Sequence, residues 1–225
     1  MSSPYSVVLF DLDGTISDSA PDITASLAHT ITELGLPVPT PSELLEWVGP
    51  PLPQSFETFL GLTGDRRDEA MRTYRAHYLA NGATASAVFP GMPELLRAVH
   101  EAGIPTSTAT SKPETPATAI LVAAGLDRWL DVITGASDDE VRNTKADVVA
   151  EALRRLRERG VDVSRPVLVG DRLHDVEGAA AHGVPTIAVR WGYGSPAEHA
   201  GAVAVVDTPA ELAELLGVSL LRGAA

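Results

Sequence analysis

Near the start of the chain stands Tyr5-Ser-Val-Val-Leu-Phe-Asp-Leu-Asp-Gly-Thr15, a short apolar run that leads into two aspartates. Such a run is typical of a strand buried on both faces, and Gly14 marks a turn after it. Asp11 and Asp13 are two residues apart, so their side chains share one face of an extended chain. Because Asp-x-Asp-Gly is also ordinary turn chemistry, this stretch alone leaves a plain turn and a reactive site equally open.

Beyond this strand, short apolar runs alternate with helical patterns. The predicted strands cover 104–110, 131–134, 166–170, 185–189 and 202–206, and the predicted helices cover 93–102, 114–124, 144–159, 174–182 and 209–216. This alternation predicts an α/β fold in which helices cover both faces of a doubly wound parallel sheet.

A helical block interrupts the alternation directly after the first strand. Helical spacing over 21–34, 42–48, 54–60 and 65–79 predicts helices without a strand between Ser17 and Ala87. We therefore predict an α/β core formed by residues 1–16 and 88–225, with residues 17–87 as an inserted α-helical cap domain.

Composition limits the classes of partner. With 17 basic and 30 acidic residues the formal charge is −13, which disfavours nucleic acid and anionic membranes. Cysteine is absent, so disulfides and thiolate metal sites are excluded. No apolar run approaches membrane-spanning length. We expect a cytoplasmic protein, either a monomer or a homodimer.

The chemistry-bearing residues follow the predicted strands, at the edge where open parallel sheets bind ligands. They are Asp11, Asp13, Gly14 and Thr15, then Thr110, Ser111 and Lys112, then Lys145, and finally Asp171 and Asp175. Four close carboxylates repel one another unless a hard divalent cation such as Mg²⁺ joins them. Lysines and hydroxyls suit the remaining oxygens of a bound phosphate.

Both lysines of the chain, Lys112 and Lys145, belong to this group. A cation in the first turn of a helix is mildly unfavourable, so Lys145 indicates an anion nearby. Asp11 is placed to attack phosphorus, and Asp13 to protonate the leaving oxygen and later to deprotonate water. Gly14 lets the backbone approach a phosphate closely.

Four pieces together resemble the haloacid dehalogenase superfamily: Asp11-Leu-Asp-Gly-Thr15, Thr110-Ser-Lys-Pro113, Lys145, and Gly170-Asp-Arg-Leu-His-Asp175. The resemblance implies a Rossmann-like core with a mobile cap, and Mg²⁺ as cofactor. It also implies that Asp11 is the nucleophile and a metal ligand, that Asp13 is the general acid and base and offers its carbonyl to the metal, and that Lys145 neutralises the phosphoryl group. By the same resemblance Thr110 and Ser111 bind phosphate, and Asp171 and Asp175 hold or support the metal. Many members of the superfamily have a proline after this lysine, whereas here Ala146 follows Lys145.

Several activities remain open within the resemblance. Asp13 argues against dehalogenation, and the absence of lysine between Ser17 and Ala87 argues against a phosphonate-cleaving enzyme with a cap lysine. Arg190-Trp-Gly-Tyr-Gly-Ser195 resembles the phosphoglycolate phosphatase branch, so a phosphatase acting on a small phosphorylated metabolite, phosphoglycolate first, is the expectation. The alternatives are a nucleoside 5′-monophosphatase, a pyrophosphatase, a sugar-phosphate mutase and a non-catalytic phospho-receiver module.

Substrate choice is expected to lie in the cap, in the loop Val48-Gly-Pro-Pro-Leu52. Tight turns there present backbone to a ligand, and Gly49 is the predicted substrate-binding position. A bulky residue at Gly49 is expected to raise KM selectively.

Overall fold

The computed structural model of the protein describes residues 3–81, 86–139 and 141–220. Its strands, in chain order, are β1 (Val7–Phe10), β2 (Ser17–Asp18), β3 (Ala87–Val88), β4 (Thr106–Thr108), β5 (Thr110–Pro113), β6 (Gly135–Ala136), β7 (Pro166–Gly170), β8 (Thr186–Val189) and β9 (Ala204–Val206). Its helices are α1 (Ala20–Glu33), α2 (Pro41–Leu45), α3 (Leu52–Leu60), α4 (Gly64–Asn81), α5 (Met92–Glu101), α6 (Glu114–Ala123), α7 (Lys145–Glu158), α8 (Leu173–Ala180) and α9 (Pro209–Leu216).

Five strands form a parallel sheet in the spatial order β4-β1-β7-β8-β9. Alternate residues of β1 enter different cores, as strand geometry requires. Val8 and Phe10 pack with α5, α6 and α9 on one face, whereas Val7 and Leu9 pack with α7 and α8 on the other. The doubly wound α/β fold is therefore confirmed, and β1 lies buried between β4 and β7.

The helices α1 to α4 form an insert with its own apolar core. Ile23, Leu27 and Ile31 of α1 pack against Tyr74 and Tyr78 of α4 in this core. Trp47 and Phe56 belong to the same core, where their rings meet edge to face with centroids 5.6 Å apart. The apolar core of the insert is therefore separate from the two cores that flank the sheet.

The prediction that no strand lies between Ser17 and Ala87 is wrong. Ser17 and Asp18 pair antiparallel with Val88 and Ala87, at the two crossings between the sheet domain and the insert. The Ser17 hydroxyl also donates to the Ala87 carbonyl (3.3 Å). Strands of two residues are too short for a period-two pattern, so sequence periodicity missed them.

The predicted strands 104–110 and 131–134 also need correction. The first is interrupted at Ala109, so β4 and β5 belong to different ladders, and Thr110, Ser111 and Lys112 lie within β5 rather than after a strand. The second predicted strand is displaced along the chain to β6. The Thr134 amide donates to the Thr108 hydroxyl (2.8 Å) rather than to a backbone carbonyl, so the pattern of strand pairing is interrupted before β6. Only Val132 of the predicted segment forms a bridge, with Ser107.

Within the described part of the chain, no helix combines the length and the apolar character needed to cross a membrane. The chemistry-bearing residues were expected at the edge formed by the carboxyl ends of β1 and β7, which the structure places side by side.

Candidate active site

The carboxyl edge of the sheet brings the predicted acidic residues together. Asp11 directly follows β1, and its amide donates to the Val169 carbonyl of β7 (2.9 Å), which ties the two strand ends. Asp171 directly follows β7, and Asp175 lies in the first turn of α8. Carboxylate oxygens of Asp11, Asp171 and Asp175 all lie within 4.8 Å of one another, and all three residues are buried.

Lys145, the first residue of α7, reaches into this acidic cluster. Its ammonium lies 2.9 Å from Asp11 Oδ1 and 2.7 Å from Asp175 Oδ1, and it donates to the Ala109 carbonyl at 2.8 Å. Thr144 begins the helix by accepting from the Asp147 amide, so the cap of α7 is satisfied without Lys145. The lysine side chain is therefore free to serve the carboxylates at the sheet edge.

The cluster carries more negative than positive charge. Burial raises the pKa of Asp11 to about 6, an effect that Lys145 opposes and Asp175 reinforces. Burial, together with Asp175 and Asp11, also raises the pKa of Asp171. Although burial alone would lower it, the pKa of Lys145 is raised by Asp11 and Asp175, so the ammonium stays charged. Three carboxylates and one ammonium leave two negative charges to be compensated.

This donor set fits a hard divalent cation. The cluster offers carboxylate oxygens only, which Mg²⁺ prefers, and its excess of two negative charges matches the charge of the ion. Burial is the main reason that the pKa of Asp11 is raised, and the neighbouring carboxylate of Asp175 raises it further, so a bound cation would favour the ionised form. Asp11, Asp171 and Asp175 are thus the residues that would hold Mg²⁺.

Mg²⁺ affinity is expected to depend on pH through Asp11. A metal ligand must be deprotonated, and a pKa of about 6 leaves Asp11 largely protonated at pH 5. Calorimetric titration should therefore show binding about tenfold weaker at pH 5 than at pH 7. Affinity that stays constant over this range would contradict the assignment of Asp11 as a ligand, and Asp171→Asn should weaken binding at both pH values.

Asp13 lies outside the acidic cluster and has different partners. Its Oδ2 atom lies 2.9 Å from the Lys112 ammonium, and its Oδ1 atom accepts from the Ser19 hydroxyl at 2.6 Å. The ring of Tyr78, from the insert, lies over the same ammonium at 4.9 Å. Lys112, predicted from sequence to bind phosphate, is therefore paired with Asp13 in this structure and touches the insert.

The hydroxyls predicted to bind phosphate lie beside these carboxylates. Ser111 Oγ is buried without a hydrogen-bond partner, while Thr110 Oγ1 accepts from the Lys112 amide at 3.2 Å. An unpartnered buried hydroxyl is costly unless a ligand satisfies it. Thr15 instead turns to the cluster and donates to Asp171 Oδ1 at 3.4 Å.

The loop that contains Tyr193 contacts the acidic cluster, and the sequence had indicated no contact of this kind for it. The Tyr193 amide donates to Asp171 Oδ2 (2.7 Å), and the Tyr193 hydroxyl donates to Asp18 (2.8 Å) and accepts from the Ala20 amide (3.0 Å). A Cβ at Gly192 or Gly194 would overlap Asp171, which explains both glycines. The signal was present in the Trp-Gly-Tyr-Gly stretch, but spacing alone did not reveal its partner.

A cavity of about 480 Å³ opens beside Asp13, between the insert and the sheet. Lys112 and Ser111 line its inner end, and Trp47 and Tyr74 belong to its apolar wall. Gly49 also lines it, so the structure places the predicted substrate loop at this cavity. Asp13, Ser111 and Lys112 therefore lie against a space that the insert partly covers.

The parallel sheet and the helical insert after β1 define a doubly wound α/β fold with an inserted helical unit, and the buried carboxylate centre lies at the carboxyl edge of its sheet. Residues 8–189 match the family model described as haloacid dehalogenase-like hydrolase. The chain belongs to this family.

Relatives carry different names. The tyrosine-protein kinase PtkA of Mycobacterium tuberculosis is 44% identical over 188 residues, which cover 84% of this chain and 63% of that protein. A plasmid-encoded phosphoglycolate phosphatase of Cupriavidus necator is 33% identical over 232 residues, covering 100% of this chain and 99% of its own. A solved structure described as a predicted phosphatase from Clostridium acetobutylicum superposes with a TM-score of 0.87 at 34% identity, covering 93% of this chain and 97% of that one. The chain thus spans less than two thirds of the PtkA protein.

Proposed function

We propose that the protein is a Mg²⁺-dependent phosphatase that hydrolyses a small phosphate monoester through an aspartyl-phosphate on Asp11. The observation that carries the proposal is the buried contact of Asp11 with Lys145, set within a carboxylate cluster suited to Mg²⁺. Family membership supports the class of reaction. When bound, Mg²⁺ supplies positive charge that compensates the carboxylates and the phosphate oxygens.

The first half-reaction forms a bond between an Asp11 carboxylate oxygen and phosphorus while the ester oxygen leaves. Lys145, 2.9 Å from Asp11, orients the carboxylate and neutralises the phosphoryl oxygens as they approach. Asp13 gives a proton to the leaving oxygen, so the alcohol departs neutral. Thr110 and Ser111 hold phosphate oxygens, and Ser111 gains the hydrogen-bond partner that it lacks.

The second half-reaction returns the enzyme. Asp13, now a carboxylate, takes a proton from water, and the water oxygen bonds to phosphorus as the bond to Asp11 breaks. Ser19 holds Asp13 through a 2.6 Å hydrogen bond, and Lys112 pairs with its other oxygen. These two contacts fix the orientation of the Asp13 side chain.

The insert, residues 17–87, is proposed as the cap that closes over the edge, and residues 1–16 with 88–225 as the core. Tyr78 of the insert contacts Lys112 of the core, and both line the cavity beside Asp13. Closure of such a unit excludes water from the reacting phosphate. The leaving group would then occupy the cavity.

Phosphoglycolate is the first substrate proposed, because the relative that aligns with the whole chain is a phosphoglycolate phosphatase. A phosphotransferase acting on tyrosine is the second candidate, favoured by the 44% identity to PtkA. The two differ in the acceptor of the phosphoryl group from Asp11, which is water in the first case and a phenol in the second.

The test is phosphate release from a panel of monoesters with and without Mg²⁺. The panel contains phosphoglycolate, a nucleoside 5′-monophosphate, a sugar phosphate and phosphotyrosine, with pyrophosphate added. Mg²⁺-dependent turnover of one or a few members supports the proposal. No turnover on the whole panel, with transfer from ATP to a tyrosine peptide instead, would favour the second candidate.

Substitution of Gly49 by Val is expected to raise KM about tenfold with little change in kcat. Gly49 has φ +107, a left-handed conformation, and a Cβ there would lie 2.9 Å from Arg172 Cγ. The strained loop would shift at the cavity wall while the reacting groups stay in place. Steady-state kinetics with the best panel substrate measures the effect.

Gly61→Val is the matched control for Gly49→Val. Gly61 also lies in the insert with a left-handed backbone (φ +64), but nothing lies within 4 Å of its added Cβ. Equal KM values for the two variants would show that backbone strain in the insert raises KM, and that the position of Gly49 at the cavity wall does not.

A further inference from the structure

Arg172 links the acidic cluster to the insert. It stands directly after Asp171, and its amide donates to Asp175 Oδ2 at 3.0 Å, so the root of its side chain is fixed beside the cluster. The side chain is 10% exposed and runs away from the carboxylates. A buried guanidinium requires acceptors for its five N–H groups, and those acceptors reveal its role.

The acceptors on the insert are three backbone carbonyls at and just after the end of α2. Arg172 Nη1 donates to the carbonyls of Val48 (2.6 Å) and Leu45 (3.4 Å), and Nη2 donates to that of Glu46 (3.4 Å). Carbonyls at the end of a helix lack donors from a following turn. One planar guanidinium can serve several such carbonyls at once, which a lysine ammonium does less well.

The positive charge of Arg172 is balanced from the core side. Its Nε donates to Glu198 Oε1 (2.8 Å), and the other oxygen of Glu198 accepts from the Ser195 amide (2.8 Å). The loop that carries Glu198 also places the Tyr193 amide on Asp171. The core thus holds Arg172 at two points, its backbone amide through Asp175 and its guanidinium through Glu198.

The insert segment held by Arg172 forms part of the cavity wall. Gly49 lies against the stem of the arginine, since its added Cβ would meet Arg172 Cγ. Trp47 and Gly49 of the same segment line the cavity that contains Asp13. Hydrogen bonds from Arg172, a core side chain, therefore hold this part of the wall over the sheet edge.

We propose that Arg172 is a positioning residue that latches the segment Leu45–Gly49 of the insert over the sheet edge. Opening the insert breaks its bonds to the three carbonyls, and closing the insert restores them. The structural part stands on these contacts alone, whereas its effect on substrate binding rests on the proposed phosphatase function. Arg172 acts through the cavity wall and needs no contact with the phosphate.

The test compares Arg172→Lys with Arg155→Lys. Arg155 is the matched control because it also joins carboxylates and a backbone carbonyl, those of Glu114, Glu151 and Ile133, but entirely within the core. Hydrogen–deuterium exchange of residues 41–49 is measured in the free protein. Exchange there should be about tenfold faster in Arg172→Lys and unchanged in Arg155→Lys, because Arg172 donates charged hydrogen bonds to the insert, whereas those of Arg155 stay within the core.

Kinetics supplies the second readout. With a panel substrate, Arg172→Lys should raise KM about tenfold and leave kcat within about threefold of the wild type. A large fall in kcat with unchanged KM would place the guanidinium on the reacting atoms and overturn the latch. Unchanged exchange over 41–49 would overturn it as well. If the wild type turns over nothing on the panel, the phosphatase proposal fails, and the exchange experiment still decides the latch.

Discussion

Replacement of Asp11 by Asn is expected to lower kcat about 10⁴-fold or more, because a carboxamide cannot attack phosphorus to form the acyl-phosphate. Asn has nearly the shape of Asp, so the surroundings at the end of β1 should be preserved. Phosphate release from the best panel substrate at saturating Mg²⁺ measures the loss. Single-turnover experiments should show no phosphorylated protein.

The fold of the Asp11→Asn variant should be at least as stable as the wild type in the absence of metal. The folded pKa of Asp11, about 6, lies above its ordinary value of 3.8, so stability present at low pH is lost as pH rises through 6. Asn carries no charge and avoids that loss at pH 8. Urea unfolding at pH 8 in chelator therefore separates lost chemistry from lost folding.

Asp207→Asn is the control for the effect of removing any carboxylate. Asp207 forms an exposed ion pair with Arg190 at 2.9 Å and does not belong to the acidic cluster. Its kcat should equal that of the wild type. Full activity in Asp11→Asn would remove Asp11 as the nucleophile.

The site was predictable from sequence where it depends on strand ends. Asp11 and Asp171 directly follow buried apolar strands, and parallel strands place their carboxyl ends on one edge. The positions of β7 and α9 were predicted to the residue for the same reason, since clear apolar patterns end at clear turn residues. Lys145 was recognisable because a cation in a first helical turn contradicts ordinary capping.

The contacts that were not predicted all depend on long-range packing. The pairing of Lys112 with Asp13 joins β5 to the turn after β1, and no local pattern specifies which carboxylate a lysine meets. Arg172 reaches carbonyls more than a hundred residues away in the chain. Tyr193 supports Asp171 through its backbone amide, and the Trp-Gly-Tyr-Gly stretch that contains it does not specify this partner. Sequence spacing therefore identifies the side chains that act from strand ends. It does not identify the residues that hold those side chains in position.

Replacement of Lys145 by Met is expected to destabilise the metal-free protein and to lower kcat about 10³-fold. The ammonium is buried between Asp11 and Asp175, and removal of one partner from a buried ion cluster costs about 3–5 kcal/mol of unfolding free energy. The reaction loses the cation that offsets negative charge on Asp11 and phosphate. Urea unfolding at pH 8 in chelator and steady-state kinetics measure the two effects.

The response of Lys145→Met to Mg²⁺ and to pH identifies the cause of the loss. Without the ammonium the carboxylates repel more strongly, so Mg²⁺ should bind more tightly than in the wild type and restore much of the stability. Lys145 lowers the pKa of Asp11, so its removal raises that pKa above the wild-type value of about 6. Asp11 of the variant then takes up a proton at a higher pH than Asp11 of the wild type, and the stability deficit should shrink as the pH is lowered towards 6. Lys112→Met, which leaves the acidic cluster intact, should show neither response. A deficit in Lys145→Met that is independent of both Mg²⁺ and pH would mean that Lys145 contributes packing, and that its charge is not what the site requires.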